Sequence, residues 1–329
     1  GESYDEGAPV LRDIWVDPVD GSDNTGDGSA RGRAYRTIDR AWGDVPAHVR
    51  FSGTGYRLML CAGTYANDRS WMEHRYGTYA YPLVIQAADG EGTAVIATDM
   101  QFFSCQFVYV QGIVFEPSNG GDGLHLDSCE VVVIQHCTIR GGPGSQRLAQ
   151  EALKANQCEY LFVEDSEVAH AYGNALDYMC CHYGHIRRCR IHDADDWAAY
   201  VKGGSSDFVI DGNEFYNGEV KGFFRCLTQV NKVKQEVFPD DLNWIWWDEF
   251  IPLVYKKLPG VTSEGDALRA IVKTIEHDTV NSRESKGLKP LRVLMFGNPF
   301  TWDNPVLSYF RGLPKYGIYR AGPGIVCEE

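Results

Sequence analysis

A short strand, β-branched or leucine-rich, recurs at nearly constant spacing along the first two thirds of the chain. The segments are RLMLCAG, YPLVIQA, QFVYVQGIVF, EVVVIQHCTI, EYLFVEDSEV, HYGHIRRCRI and SDFVIDGNEF. Aligned on one inward residue of each, they give Leu60, Ile85, Val110, Ile134, Val163, Ile186 and Ile210. The steps are 25, 25, 24, 29, 23 and 24 residues. A period of ~20–30 residues with one or two strands per unit suits a solenoid, where each unit buries its apolar face only against its neighbours. The expected fold is therefore an all-β solenoid. Its rungs stack ~4.8 Å apart, so equivalent inward residues form ladders.

The repeat bears on a stretch that otherwise suggests a metal site. NALDYMCCHYGHIRRCRI (174–191) carries Cys180, Cys181, His182, His185 and Cys189. Five residues before the last five anchors stand Cys105, Cys129, Cys158, Cys181 and Ser205; three residues after them stand Ile113, Cys137, Ser166, Cys189 and Asn213. The cysteines thus fall in two columns of small inward side chains, and a free cysteine in such a place behaves as a small buried hydrophobe. No zinc is expected there. Stacked parallel side chains are also poor geometry for a disulfide. Cys61, Cys180, Cys226 and Cys327 lie outside the columns.

Composition divides the chain. Residues 1–224 hold 17 Lys+Arg against 32 Asp+Glu, whereas residues 225–329 hold 14 against 13. Only Lys154, Lys202 and Lys221 occur before residue 225. One further period would put Lys232 and Lys234 in core columns. Instead DLNWIWWDEFIPLVYKKL and SEGDALRAIVKTIEHDTV read as amphipathic helices, followed by a strand-like LRVLMFG. The expected division is a solenoid over 1–222 and a mainly helical or α+β segment over 223–329. Trp244, Trp246 and Trp247 in that segment read either as the buried face of a cap or as a sugar-stacking platform. A net charge of −14 argues against nucleic acid as a partner. No apolar run is long enough for a membrane span, and no phosphate-binding glycine loop or nucleophile elbow is present, so no nucleotide is expected. The start GESYDEGAPV has no signal-peptide pattern and is compatible with a mature or trimmed N-terminus, so it neither shows nor excludes secretion.

WVDPVDGSDNTGDGSARGRAYRTIDRAW (15–42), LCAGTY (60–65) and repeats such as GLHLDSCEVVVIQHCTI (123–139) resemble the right-handed parallel β-helices of the pectate-lyase-like superfamily. The resemblance covers about residues 14–222. It implies that YRTIDRAW is an amphipathic helix capping the first coil, with Thr37 as N-cap and Ile38, Ala41 and Trp42 on its apolar face. It also implies a polysaccharide partner and an extracellular or periplasmic location; a monomer is expected. The superfamily hosts lyases, hydrolases, epimerases and non-catalytic adhesins, so the fold leaves the reaction open. DPVDGSDNTGDG lacks calcium-loop spacing and reads as a polar turn.

In GLHLDSC the leucines point inward and the residues between them outward. The outward columns expected are His125, Lys154, Asp177 and Val201; then Asp127, Asn156, Met179 and Gly203; then Asp122, Glu151, Asn174 and Ala198. Neighbours in a column lie about 5 Å apart. The one long repeat carries RGGPGSQRLAQ (140–150), expected to overhang this patch and bring Arg140 and Arg147. Polysaccharide lyases of this fold neutralise a uronate carboxylate, remove the adjacent proton and expel the 4-linked sugar. That resemblance implies Lys154 or His125 as base. Glu151, Asp177 and Asp127 would be ligands of a Ca²⁺ ion, and Arg140, Arg147, Asn156 and Asn174 would bind substrate. Lys202 in YVKGGS is a further catalytic candidate; strict alternation points it inward unless Gly203–Gly204 break the pattern. Asp195 and Asp196 in IHDADDW offer a carboxylate pair of the kind inverting glycosidases use. The alternatives are a solvated face with ordinary ion pairs, a non-catalytic glycan-binding or adhesin-type solenoid, and an inverting glycoside hydrolase or uronate C5-epimerase.

Overall fold

The computed structural model describes residues 1–66, 71–202, 205–218 and 326–328. Among the described residues the chain winds into three parallel sheets. The longest has nine strands: Leu11–Val16, Gly55–Leu60, Leu83–Ala87, Gln106–Gln111, Glu130–Gln135, Glu159–Glu164, His182–Arg187, Ser206–Asp211 and Val326–Glu328. A seven-stranded sheet runs from Gly63–Tyr65 to Glu214–Tyr216, and a six-stranded sheet from Trp71–Glu73 to Ala199–Lys202. From Gly55 to Lys202 each coil contributes one strand to each sheet, so consecutive coils meet strand on strand. One apolar cluster runs through the middle and includes Ile85, Val110, Leu124, Leu126, Ile134, Leu153, Val163, Leu176 and Ile186. No helix among the described residues is long and apolar enough to cross a membrane.

The register matches the expected repeat from the second anchor onward: Ile85, Val110, Ile134, Val163, Ile186 and Ile210 pair in sequence. The first anchor is corrected. Leu58 pairs with Ile85, while Leu60 pairs with Ala87. Both leucines are buried, and alternation alone does not distinguish two inward residues of one strand. The expected cap is present: helix Ile38–Trp42 buries Ile38, Ala41 and Trp42, and the Thr37 hydroxyl accepts from Arg40 N at 3.1 Å. The aspartate-rich segment is a set of turns. Asp17 accepts from the amides of Val19 and Asp20, and Asp23 from those of Arg36 and Thr37.

The cysteine columns exist, and the corners of the coil explain them. Ser104, Ser128, Gln157 and Cys180 have φ of 52°, 55°, 53° and 57°, each directly before Cys105, Cys129, Cys158 or Cys181. His136, Asp165 and Arg188 do the same before Cys137, Ser166 and Cys189, with φ of 53°, 47° and 54°. A left-handed residue turns the chain sharply into the next strand. The residue after it points inward and must be small. It must also satisfy a backbone amide of the rung before it. Cys181 N donates to Ser205 Oγ at 3.0 Å, Cys137 N to Ser166 Oγ at 3.1 Å, Cys189 N to Asn213 Oδ1 at 2.9 Å, and Cys129 N to Cys158 Sγ at 3.4 Å. Cysteine, serine and asparagine are small acceptors, which is why they alternate along these columns. Burial pushes the thiols of Cys137 and Cys189 up to about 12. His185, from the same stretch, pairs with Glu164 at 2.5 Å. The expected helical or α+β segment lies outside the described residues, apart from Val326–Glu328, whose Cys327 pairs with Ile210. Trp244, Trp246 and Trp247 lie outside them as well.

The ladder predicts that Cys129, Cys158 and Cys181 do not react with thiol reagents in the native state. Cys158→Ala should cost about 1–2 kcal/mol, from a small cavity and a lost acceptor. Cys158→Asp should cost at least ~3 kcal/mol because it buries an unpaired charge. Denaturant unfolding distinguishes the two, and equal costs would contradict the ladder. Glu164 gives a pH test. Burial alone would raise its carboxyl, but His185, Gln135 and the Tyr4 amide hold it down at about 2 against an ordinary 4.5. The folded value is below the unfolded one, so this contribution is complete above 4.5 and is lost as pH falls toward 2. Glu164→Gln should flatten the stability profile in that window.

Candidate functional site

Alternation on the six-stranded sheet turns Leu124, Leu126, Leu153, Ala155, Leu176 and Tyr178 into the core and leaves His125 and Lys154 between them partly exposed, whereas Asp177 is turned away from the core but buried. The register brings the expected patch together. In Cα register Gln101, His125, Lys154, Asp177 and Tyr200 stand in one column, of which Asp177 and Tyr200 are buried; Phe103, Asp127, Asn156 and Met179 stand in the next, with Lys202 as the Cα partner of Met179. Glu151 pairs with Asn174. The last rung differs from the expectation by one residue. Tyr200, not Val201, stands beside Asp177, and Lys202, not Gly203, takes the position beside Met179. Val201 is in the core at 5% exposure. The strands of this sheet step by 23 residues from Lys154 to Asp177 and again to Tyr200. The anchors of the long sheet step by 24 over the last rung, because the intervening turns vary in length. Ala198 is buried, and the Trp197 amide donates to Asn174 Oδ1 at 3.3 Å.

The polar groups of the patch hold one another. Lys154 Nζ lies 3.4 Å from Glu151 Oε2, and Asn174 Nδ2 donates to Asp177 Oδ2 at 3.2 Å. Asn156 Nδ2 lies 3.1 Å from His125 Nε2, so Nε2 is the acceptor and the ring proton is on Nδ1, which faces Asp122 Oδ2 at 3.7 Å. Asn156 Oδ1 is buried and has no hydrogen-bond partner. Above lies a cleft of about 270 Å³, lined by Gln101, Asp122, His125, Gln150 and Tyr172, among others. Tyr172 is 51% exposed. Gln150 and Tyr172 come from turns, where a strand repeat carries no signal; the one cue was an aromatic residue in the turn HAYGN.

The electrostatics separate the two candidate bases. Burial would lower the Lys154 ammonium, but Glu151, Asp177 and Asp122 together raise it above its ordinary value. Burial, aided by Lys154 and opposed by Asp122, lowers His125 below an ordinary histidine. Asp122 is raised, chiefly by burial, against the pull of Lys154 and His125. At neutral pH the column therefore presents a neutral imidazole next to a firmly charged ammonium.

Arg140 and Arg147 are not part of this patch. Arg140 lies on the seven-stranded sheet, where its guanidinium contacts Glu116 at 2.5 Å and Glu167 at 3.1 Å. The loop after it folds back, with Leu148 N and Ala149 N both donating to Gly141 O. Arg147 is thereby turned to Asp193, at 3.4 Å, and to Asp195. Only the loop's end, Gln150, reaches the cleft wall. Asp195 and Asp196 are exposed at that other corner. The expected calcium ligands do not form a cage. Asp127 accepts from Ser128 Oγ at 2.8 Å in the neighbouring column, and Glu151, Asp177 and Asp127 do not converge within reach of one ion. The Lys154 ammonium already counters the charge of Glu151 and Asp177. A calcium ion wants six to eight oxygen ligands, and these residues do not fit it.

Three parallel sheets stacked rung on rung around one core define the class: the chain is a parallel β-helix. Residues 85–236 match the family model described as "Right handed beta helix region", so the architecture is the right-handed parallel β-helix that the resemblance implied. No curated protein matches the sequence. Among solved structures it is similar to pectate lyase Pel9A, at 10% identity and a TM-score of 0.38, covering 62% of this chain and 63% of that one. It is similar to the PL6 family polysaccharide lyase Pedsa3628 from Pseudopedobacter saltans, at 12% identity and 0.39, covering 56% and 46%. It is also similar to a rhamnogalacturonan lyase, at 12% and 0.38, covering 64% and 62%. The chain thus spans less than two thirds of the length of each of these structures.

Nuclear magnetic resonance titration of His125 is expected to give a pKa below that of an ordinary histidine. Lys154→Met should raise it, because the lysine is one of the two influences that depress it. No change in that variant would mean the two side chains are not coupled.

Proposed function

We propose that this chain is a carbohydrate-active β-helix protein that cleaves a uronate-containing polysaccharide by β-elimination, in the cleft that His125 lines, beside Lys154. One observation carries the reading: a neutral imidazole that lines a polar cleft has a charged ammonium as its Cα partner on the adjacent rung. β-Elimination needs these two groups. The uronate carboxylate rests against Lys154 Nζ, with the amide of Asn156 as a further donor. Neutralising it acidifies the proton on C5. His125 Nε2 gives up its Asn156 hydrogen bond and takes that proton. The electron pair left on C5 forms the C4=C5 double bond, the C4–O bond breaks, and the departing oxygen takes a proton from water. Lys154 is the electrostatic partner in this scheme and not the base. Its ammonium does the work often given to calcium, so no metal enters the step. Tyr172 offers an aromatic face to a sugar ring at the cleft wall. A substrate of this size implies an extracellular or periplasmic place of action.

The test is a panel of pectate, alginate and glycosaminoglycans, read by the ultraviolet absorbance of the unsaturated uronate product. His125→Ala should lower kcat by ~10²–10⁴-fold. A chelator should leave the rate unchanged. Activity should fall at acid pH as His125 becomes protonated, with the acid limb below the ordinary histidine range. Reducing ends without the absorbance would mean hydrolysis, and exchange at C5 without cleavage would mean epimerisation. Glycan binding that survives Lys154→Ala, with no turnover on any substrate, would leave a non-catalytic binding solenoid.

A further inference from the structure

The seven-stranded sheet carries a second constellation, independent of the cleft. Ala169 pairs with His192 and Ala171 with Ala194, so His170 stands opposite Asp193 on the neighbouring rung. Both leave sheet geometry at the same place, with φ of 62° and 54°. A left-handed residue interrupts the strand's alternation and re-aims its side chain. Here it occurs on two consecutive rungs, and it keeps His170 and Asp193 out of the core. One nitrogen of His170, one of His192 and a carboxylate oxygen of Asp193 all lie within 4.8 Å of one another.

What surrounds His192 is the second observation. Its Nε2 lies 2.9 Å from Glu167 Oε1, and Glu167 is itself held by Arg140 at 3.1 Å and Arg190 at 3.6 Å. A carboxylate behind one imidazole nitrogen fixes the proton there and leaves the other nitrogen as a donor toward a metal. That other nitrogen, Nδ1, points to Asp193 Oδ2 at 2.5 Å. Tyr216 stacks over the ring at 4.3 Å and 6°, and His192 is only 5% exposed. The imidazole is thus oriented, backed and shielded.

We infer that His170, His192 and Asp193 form a binding site for a divalent transition metal, with zinc the ion of best fit. Two imidazole nitrogens and one carboxylate oxygen match zinc chemistry, whereas calcium and magnesium seek oxygen alone. The ion replaces the His192–Asp193 hydrogen bond, the shared proton leaves to solvent, and water takes the fourth position. The sequence leads to no expectation of zinc at the cysteines; these ligands are two histidines and an aspartate on neighbouring rungs. Asp193 also contacts Arg147 at 3.4 Å and Asn217 Nδ2 at 3.3 Å. The ion would therefore brace the 140–150 loop, whose last residue lines the cleft.

The experiment uses the untagged full chain, stripped with a chelator and titrated calorimetrically with ZnCl₂, with Co²⁺ as a spectroscopic probe. One zinc per chain is expected, with a rise in Tm, and a Co²⁺ spectrum of nitrogen–oxygen rather than thiolate ligation. His170→Gln and Asp193→Asn, both at partly exposed positions, should abolish stoichiometric binding and the Tm rise while circular dichroism stays native. Glu167→Gln should weaken zinc by about 10–100-fold, acting only through His192. The double variant Cys181→Ser, His185→Gln should keep its zinc. No binding by the wild-type chain, or full binding by natively folded His170→Gln and Asp193→Asn, would overturn the inference.

Discussion

The hydrogen bond from a backbone amide at one corner to a small side chain on the next rung is the contact on which this coil depends. A parallel β-helix pairs its strands along the flat faces without difficulty. Its corners are the problem, because a left-handed residue there breaks the strand and strands an amide beside the core. Cys129, Cys137, Cys181 and Cys189 each have that amide satisfied from the rung ahead, by sulfur, hydroxyl or side-chain amide. An unsatisfied amide at each such place would cost about 1–3 kcal/mol, several times over along the stack. The columns are therefore better described as caps for the corners than as apolar filler.

That constraint decides what the residues alone could reveal. A corner that needs a small acceptor at a fixed distance from an anchor produces a period, and the period is what made the solenoid, the two columns and the His125–Lys154–Asp177 alignment legible. It says nothing about how much chain a turn holds. Each sheet advances by its own step, so counting from the anchors of the long sheet misplaced Tyr200 and Lys202 by one residue on the six-stranded sheet. Arg140 and Arg147 were misassigned for a related reason. Both stand in sequence between two strands of the patch, but Arg140 follows the Cys137 corner onto another sheet, and the loop hairpins at Gly141. Asp122 was legible only as a member of a column, since its raised carboxyl arises from burial beside His125 and Lys154, a product of the folded cleft.

Charge at the patch follows from the same stacking. In a parallel helix identical positions repeat about 5 Å apart, so an uninterrupted column of carboxylates would repel along its length. Here the column alternates type: a neutral amide at Gln101, an imidazole, an ammonium, a carboxylate, a phenol. Lys154 faces Glu151 beside it and Asp177 on the next rung, and His125 loses its proton affinity partly because that ammonium is its neighbour. The two properties are linked. Any change that weakens the Lys154 charge should make His125 more basic in solution while removing the group that acidifies the substrate. A positively charged substitute at residue 154 should therefore preserve His125's depressed pKa better than a neutral one of the same length.

The two constellations sit on different sheets but share a strap of chain. Residues 140–150 leave the seven-stranded sheet at Arg140, pass Asp193 through Arg147, and arrive at the cleft with Gln150. Arg147 meets two aspartates there and Arg140 two glutamates, so the loop is fixed by charge at its start and near its end, with glycines between them at 141, 142 and 144. Surface ion pairs of this sort are individually weak, at most about 1 kcal/mol each and less in salt. A metal bound by His170, His192 and Asp193 would add a bond that salt does not screen, next to the weakest of these contacts. The position of the cleft wall would then respond to an ion bound outside the cleft, without that ion taking part in chemistry.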